Sequence, residues 1–134
     1  RKEKQSIFTM IDRLNIKVAS IDDNINSLSG GNQQKVVIAK WILAGAKCLL
    51  LMDPTRGIDV GTKQEVYAIL RKLASRGTAI LFFSTDHDEL VGLCDRVMIL
   101  YGGEIVAKLE GKDLTKHNII KASLNLISSN KSIF

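Results

Sequence analysis

Two short apolar runs with an amphipathic stretch between them restrict the fold of this chain more than any other feature. The runs are "KCLLLM", residues 47–52, and "TAILFFS", residues 78–84. Neither run alternates apolar with polar residues and each is too short for a buried helix, so both favour parallel strands covered on both faces. The stretch between them has apolar residues at the spacing of one helix face: Val66, Ile69, Leu70 and Leu73. The sequence therefore predicts a strand, helix and strand unit with a right-handed crossover.

The chain on either side of this unit adds helices and a hairpin. An opening helix is predicted from apolar residues at helical spacing, namely Ile7, Met10, Ile11 and Leu14. The stretch "RVMILYGGEIVAKL" has two apolar runs around Gly102 and Gly103, which favours an antiparallel hairpin with a two-residue turn. A last short helix is expected near residues 114–126. The predicted fold class is α/β, with parallel strands and crossover helices followed by a β-hairpin and a short helix.

The charge of the chain is basic, but it is spread out. The sequence has 19 Lys and Arg against 14 Asp and Glu, a formal charge of +5. Such a balance fits nucleic acid, a membrane surface or phosphate ligands. In the last part of the chain the lysines are spaced without interleaved aromatic residues, at Lys108, Lys112, Lys116, Lys121 and Lys131. This spacing is typical of a solvated surface, so we expect no nucleic-acid groove.

Cysteine usage and hydropathy exclude further classes. Cys48 and Cys94 make no CxxC or Cys/His pattern, so no metal site is expected and both are predicted to be buried free thiols. No apolar run approaches the ~20 residues that a membrane-spanning helix needs. The basic start "RKEKQ" leads into a helical pattern rather than a signal-peptide core. We therefore expect a soluble, cytoplasmic chain.

A glycine pair in "LSGGNQQK", residues 28–35, precedes a further helix. A helix N-terminus carries unpaired N–H groups and about half a positive charge, so small residues before it favour an anion such as phosphate. An ordinary N-cap at Ser29 is the competing interpretation. The helix is expected to begin where the glycines end and to have a broad apolar face made of Val37, Ile38, Trp41 and Ile42. Its polar edges are predicted at Gln33, Gln34, Lys35 and Lys40.

Four motifs follow one another in an order that resembles a known family. The loop at residues 28–32 is followed by an apolar strand, by "DPTRGID" and by a strand that ends in "STDHDEL". This order resembles the ATP-binding cassette (ABC) proteins, whose signature loop the first motif matches. "LSGGNQQKVVIAKWIL" together with "PTRGIDVGTKQEVY" most resembles the second nucleotide-binding domain of the fused importer ATPases that serve monosaccharide uptake, of the ribose and galactose type.

The resemblance implies ligands, partners and a location. In the family the signature binds the γ-phosphate of an ATP held by the opposite domain, which implies ATP contacts for Ser29, Gly30, Gly31 and Asn32. Asp59 matches the aspartate of the family's D-loop, which crosses the dimer interface and couples the two sites. The implied partners are a second nucleotide-binding domain and transmembrane permease subunits, on the cytoplasmic inner face of the cell membrane. The implied cofactors of the full-length protein are ATP and Mg²⁺.

The residues that would serve the chain's own ATP depart from the family. Met52 and Asp53 stand where the family has an aspartate that orients Mg²⁺ and a catalytic glutamate. A thioether is a poor Mg²⁺ ligand, and Asp is one methylene shorter than Glu. Thr85 aligns with the family's switch histidine, while His87 is expected to be a solvent-facing residue at a helix start. The implied catalytic set is Asp53, Asp59 and Thr85, with weakened hydrolysis. A backbone shift that moves Asp53 to the Mg²⁺ position is the alternative.

The phosphate-binding pattern GxxxxGK[ST] occurs nowhere in the 134 residues. The resemblance therefore implies that residues 1–30 end the helical signature subdomain and residues 31–134 form the C-terminal part of the ATPase core. We expect a segment of the ABC-type ATPase of a sugar importer, inactive and self-associating when isolated. A non-catalytic regulatory or interaction module is the main alternative. A DNA-repair ATPase is a further one, and "PTRGIDVGTK" opposes it.

Overall fold

The computed structural model of the chain describes residues 2–126, arranged as two compact units that divide between Phe83 and Ser84. Arg1, Lys131 and the end of the predicted core segment 31–134 lie outside the described residues. The predicted boundary between residues 30 and 31 separates a helical subdomain from an ATPase core. It is not the division between the two compact units, and it stays a prediction.

The first unit contains a parallel strand pair joined by a helix. Its elements, in chain order, are α1 (Lys2–Arg13), α2 (Gly30–Leu43), β1 (Cys48–Met52), α3 (Val60–Ala74) and β2 (Ala79–Phe83). β1 and β2 are parallel and pair without a bulge, from Cys48 opposite Ala79 to Met52 opposite Phe83. The predicted strands, the helix between them and the opening helix are all confirmed.

The core of the first unit lies between the helices. Buried side chains from α1, the turn after it and α2 form one cluster: Met10, Leu14, Ile16 and Ala39. Ile69 of α3 packs against this cluster, and α3 also buries Val66, Leu70 and Leu73. The apolar spacing of the sequence therefore marks the buried faces of α1 and α3 correctly, because residues three and four apart share one side of a helix.

One face of the β1–β2 pair is open, which corrects the prediction that both faces are covered. Leu50 and Met52 of β1 are 75% and 82% exposed, and Leu81 and Phe83 of β2 are 56% and 54% exposed. These side chains share a face because alternate residues of a strand point to the same side. Leu49, on the other face, is buried. Apolar residues on both faces predict two covering layers, but the described residues cover one.

α2 begins earlier and buries a different set of residues than predicted. It starts at Gly30, so both glycines belong to its first turn. Ile38 is buried, but Val37 and Trp41 are 40% and 47% exposed. Lys35, predicted at a polar edge, is only 1% exposed. The apolar pattern alone misses Lys35 because its burial depends on partners from elsewhere in the chain.

The second unit is a hairpin with two helices. Its elements are α4 (His87–Leu93), β3 (Arg96–Tyr101), β4 (Glu104–Glu110) and α5 (Lys116–Ser123). β3 and β4 are antiparallel, and the turn between them uses Gly102 and Gly103 at φ 58° and 86°. Positive φ at both turn residues is what a tight hairpin requires, so the glycine pair explains the turn. The predicted hairpin and last helix are confirmed.

The prediction that both cysteines are free thiols is confirmed, but the prediction that both are buried is wrong for Cys48. Both thiols are free, but Cys48 is exposed, since it lies on the open face of β1. Cys94 is half-buried, and burial, followed by the charge of Asp95, raises the pKa of its thiol.

Among the helices of residues 2–126, none is long and apolar enough to cross a membrane.

Candidate functional site

The start of α2 presents a serine whose hydroxyl does not cap the helix. Ser29 occupies the N-cap position in an extended conformation, yet its side chain makes no capping hydrogen bond. Its Oγ instead accepts a 2.9 Å hydrogen bond from Nδ2 of Asn32. The backbone N–H of Lys17 in turn donates to Oδ1 of Asn32 at 2.9 Å. The hydrogen bond from Asn32 thus fixes the position of the Ser29 oxygen. The hydroxyl proton of Ser29 remains available for a hydrogen bond to a ligand.

The two glycines differ in what surrounds them. A Cβ on Gly30 would meet nothing within 4 Å, so the space in front of this residue is open. A Cβ on Gly31 would overlap the Cγ2 methyl of Thr62 and lie 3.3 Å from Cγ2 of Ile58. Gly30 therefore leaves room for a ligand, while Gly31 allows the first turn of α2 to approach the start of α3.

The surroundings of this helix start suit an anion. In the described chain the first turn of α2 contains no acidic residue, and the positive end of the helix dipole lies there. An open cleft of about 520 Å³ adjoins the loop. It is lined by Lys17, Val18, Ala19, Asp23, Ser27, Leu28, Ser29 and Asn32. The arrangement can receive a phosphate group through the Ser29 hydroxyl and backbone N–H groups.

Asp59 caps α3 at the same end of the unit. Its Oδ1 accepts from the backbone N–H of Thr62 at 3.0 Å, and its Oδ2 accepts from the Thr62 hydroxyl at 2.7 Å. These two hydrogen bonds hold the pKa of the exposed Asp59 carboxyl below its usual value. Thr62 therefore touches both Gly31 and Asp59. Sequence reasoning missed it, although Asp-x-x-Thr before an apolar helix resembles a helix-capping pattern.

Asp53 lies directly after β1 with its backbone fixed. Its N–H donates to the carbonyl of Phe83 at 2.9 Å, and its carbonyl accepts from the N–H of Arg56 at 3.1 Å. The φ angle of Asp53 is +43°, a conformation that Asp tolerates better than most residues. The preceding Met52 ends the strand on its open face. The pairing of β1 with β2 is unbroken up to Met52, and the alternative that Asp53 takes the Mg²⁺ position stays a prediction.

Thr85 belongs to the second unit, in the loop before α4, and is exposed. The residues on either side of it are held in place. Ser84 is buried, donates its hydroxyl proton to Oε2 of Glu89 at 2.6 Å, and accepts from the N–H of Asp86 at 3.0 Å. Asp86 caps α4 through the N–H of Asp88. His87 is the first residue of α4, as predicted, but it is half-buried rather than solvent-facing.

Lys35, in the second turn of α2, is buried, although the sequence pattern predicts it at a polar edge of that helix. Nζ of Lys35 donates to the backbone carbonyl of Asn15 at 2.9 Å and pairs with the carboxylate of Glu65 on α3. The Lys35 side chain is 2% exposed, whereas that of Glu65 is 44% exposed. Lys35 thus ties α2 to α3 and to the turn after α1.

We expect Lys35→Ala to destabilise the first unit by about 2 kcal/mol, because a buried aliphatic stem and the donor to Asn15 are both lost. Glu65 still reaches water, so it adds little to the cost. Urea denaturation of the 134-residue chain and its variants, all at one concentration so that self-association contributes equally, measures the change through the fluorescence of Trp41, the single tryptophan of the sequence. Lys72→Ala, at an exposed lysine of α3, is the control and should stay within about 0.5 kcal/mol. Equal effects at the two lysines would contradict this account of Lys35.

The predicted site residues therefore fall into separate groups. The signature residues Ser29, Gly30, Gly31 and Asn32 meet Asp59 through Thr62. Asp53 follows the end of β1, and Thr85 lies in the other unit. Within residues 2–126, no three His, Cys, Asp or Glu side chains converge on a point where they could hold a metal ion.

Comparison with known proteins finds relatives that are named as ATP-binding proteins. It is 57% identical over 124 residues to ribose import ATP-binding protein RbsA 1 of Rhizobium etli, and the match covers 92% of the chain but 24% of that protein. It is 48% identical to the RbsA protein of Chelativorans sp. and 42% identical to that of Bacillus subtilis, with 91% and 90% of the chain covered. The chain thus spans about a quarter of the length of these curated relatives. No family model matches it.

Solved structures show the same fold. MJ1267, described as an ATP-binding cassette of an ABC transporter, superposes with a TM-score of 0.79 at 17% identity, covering 94% of the chain and 50% of that structure. A dimeric, post-hydrolysis state of the ATP-binding cassette MJ0796 bound to ADP and Pi gives a TM-score of 0.71 at 21% identity, covering 81% of the chain and 47% of that structure. At such identity the likeness shows the fold alone, and it confirms the predicted α/β class.

Proposed function

Since the chain belongs to the ATP-binding proteins of the ABC class, we propose that it supplies the signature loop of a sugar importer's ATPase to ATP held by an opposite nucleotide-binding domain. The observation that carries this proposal is the open start of α2. Ser29 offers a hydroxyl that caps nothing, and Gly30 leaves free space in front of it. In a chain 57% identical to a ribose import ATP-binding protein, that opening has a natural occupant, the γ-phosphate.

The chain's own residues act on the phosphate by binding and orientation. The Ser29 hydroxyl and the unpaired N–H groups of the first turn donate hydrogen bonds to phosphate oxygens, and the helix dipole favours their negative charge. Asn32 keeps the Ser29 oxygen in place from behind. Asp59, held by Thr62 at the start of the neighbouring helix, is the residue that faces the opposite domain in this proposal.

Met52 does not fit a Mg²⁺ site. The position that would orient the ion, at the end of the apolar strand, is Met52, whose thioether suits soft metals and not a hard cation. In our proposal the nucleotide site to which Met52, Asp53 and Thr85 belong is therefore weakened, while the opposite site receives an intact signature.

The same departures favour a second candidate function. Met52, Asp53 and Thr85 together also fit a regulatory module that binds nucleotide in a partner's site without hydrolysing its own. A DNA-repair role has no such support, since the relatives are ribose import proteins.

Under the importer proposal, residues 1–30 end the helical subdomain and 31–134 belong to the core. The partners are a second nucleotide-binding domain and permease subunits, which place the protein peripherally at the inner membrane face.

ATP turnover of the full-length protein tests the proposal. The assay compares the protein alone with the protein reconstituted with its permease, with and without ribose and a ribose-loaded binding protein. We expect turnover that rises when the loaded binding protein is present. Nucleotide binding without turnover would favour the regulatory module, and turnover that never responds to the permease would contradict the importer.

We expect the isolated chain to bind ATP weakly or not at all. In this family the loop with the pattern GxxxxGK[ST] supplies most of the phosphate affinity, through its lysine and its backbone amides. This pattern occurs nowhere in the sequence. Titration with a fluorescent ATP analogue should therefore show no saturation in the micromolar range. Micromolar affinity without a partner domain would contradict the proposal that this chain acts on a nucleotide held elsewhere.

A further inference from the structure

Thr62 is the side chain through which the two ends of the candidate site touch. Its Cγ2 methyl fills the space beside Gly31, where even a Cβ would overlap it. Its hydroxyl donates to Oδ2 of Asp59 at 2.7 Å, and its backbone N–H donates to Oδ1 at 3.0 Å. A threonine can do both because its branched Cβ carries a methyl as well as a hydroxyl.

We propose that Thr62 is a positioning residue that couples the start of α2 to Asp59. Its consequence for turnover rests on the proposed function, whereas the contact itself does not. A ligand seated on Ser29 and Gly30 fixes the first turn of α2, and with it Gly31. Because no gap separates Gly31 from Thr62, a shift of this turn moves the Thr62 methyl. The hydroxyl on the same Cβ carries that shift to Asp59.

A second tie makes α2 and α3 move together. The buried ammonium of Lys35 pairs with Glu65. Lys35 lies four residues after Gly31 on α2, and Glu65 lies three residues after Thr62 on α3, so each lies about one helical turn further along. Two contacts one turn apart resist both sliding and rotation of the helices. A displacement of the loop that receives the phosphate, residues 28–32, therefore reaches Asp59 through the contacts between the starts of α2 and α3.

Two substitutions separate the two sides of Thr62. Thr62→Val keeps the methyl beside Gly31 and loses the hydroxyl, whereas Thr62→Ser keeps the hydroxyl and loses the methyl. In the full-length protein we expect Thr62→Val to lower kcat about fivefold to tenfold, the effect of one hydrogen bond, with KM for ATP within about twofold. The matched control is Thr115→Val, which removes the threonine cap of α5 in the other unit. Equal losses of kcat at both positions would overturn the proposal.

A compensating pair tests the methyl contact. We expect Gly31→Ala to lower kcat more than about tenfold, because the new Cβ drives into the Thr62 methyl. Adding Thr62→Ser removes that methyl and leaves the alanine Cβ 3.1 Å from the Cβ of residue 62 and 3.3 Å from Cγ2 of Ile58, two close contacts that require the neighbours to move by a few tenths of an ångström. The double variant should therefore recover part of the loss. A double variant no better than Gly31→Ala alone would show that the contact transmits nothing.

Hydrogen exchange provides a readout that does not depend on ATP turnover. In the nucleotide-free full-length protein, the Thr62 amide is protected by its bond to Asp59. Gly31→Ala should speed its exchange about tenfold or more, and Thr62→Ser in the same chain should restore protection. Unchanged exchange in Gly31→Ala would overturn the coupling. A protein that turned over no ATP but showed this exchange pattern would refute the proposed function and support the coupling.

Discussion

Ser29→Arg is expected to abolish ATP turnover at the nucleotide site that this chain is proposed to complete. The open space in front of Gly30 accepts the long side chain without disturbing the fold, so the variant should fold normally. Its guanidinium would then occupy the position of the incoming γ-phosphate and displace it by more than 1 Å, which costs on the order of 100-fold or more. Steady-state ATP turnover of the full-length protein measures the loss.

Two further variants define the meaning of that result. Ser75→Arg makes the same substitution at the far end of α3, where the serine hydroxyl donates only to the carbonyl of Lys72, and should leave turnover unchanged. Asp53→Asn should cost much less than Ser29→Arg, since the family resemblance implies that Asp53 already replaces a catalytic glutamate. If Asp53→Asn proved the more severe change, the division into an intact signature and a weakened site of the chain's own would be wrong.

The isolated chain is expected to self-associate rather than remain a stable monomer. The open face of the β1–β2 pair exposes Leu50, Met52, Leu81 and Phe83. At ~25 cal/mol per Å², a few hundred Å² of such surface costs several kcal/mol, comparable to the whole stability of a small domain. Strands in an open sheet also present unpaired backbone groups to another copy. Light scattering at micromolar concentration should report particles larger than a monomer.

The open face provides its own matched control. Leu50→Lys places a charge in the middle of the face, whereas Val60→Lys places one at the start of α3, and both residues are 75% exposed. Leu50→Lys should shift the chain toward monomer, and Val60→Lys should not. A wild-type chain that stays monomeric and melts cooperatively would show that the present elements close their own core.

Much of the fold could be predicted because it is written in local patterns. Helix spacing marks α1 and α3, the apolar runs mark β1 and β2, and Gly102 with Gly103 marks the hairpin turn. Each of these patterns acts over a few residues, where spacing and backbone freedom decide the structure. The candidate signature loop was identified differently, from an order of four motifs that resembles a known family, because the glycines that open α2 alone also fit an ordinary N-cap.

The contacts that organise the site could not be predicted, because they join residues far apart in the chain. Lys35 looks like a surface lysine until Glu65 and the carbonyl of Asn15 are brought beside it. Thr62 looks like an ordinary helix residue until α2 places Gly31 against its methyl. The covering of a strand face likewise depends on which other elements are present, and so the prediction for β1 and β2 was only half right.

The division between an intact signature and a weakened site is tested most directly by counting product in a single turnover. The full-length protein is loaded with ATP at both nucleotide sites, and phosphate released in the fast phase is measured per protein. We predict that the site completed by Ser29 hydrolyses its ATP in that phase, while the site that contains Met52 and Asp53 retains its ATP. Equal, fast hydrolysis at both sites would contradict the account.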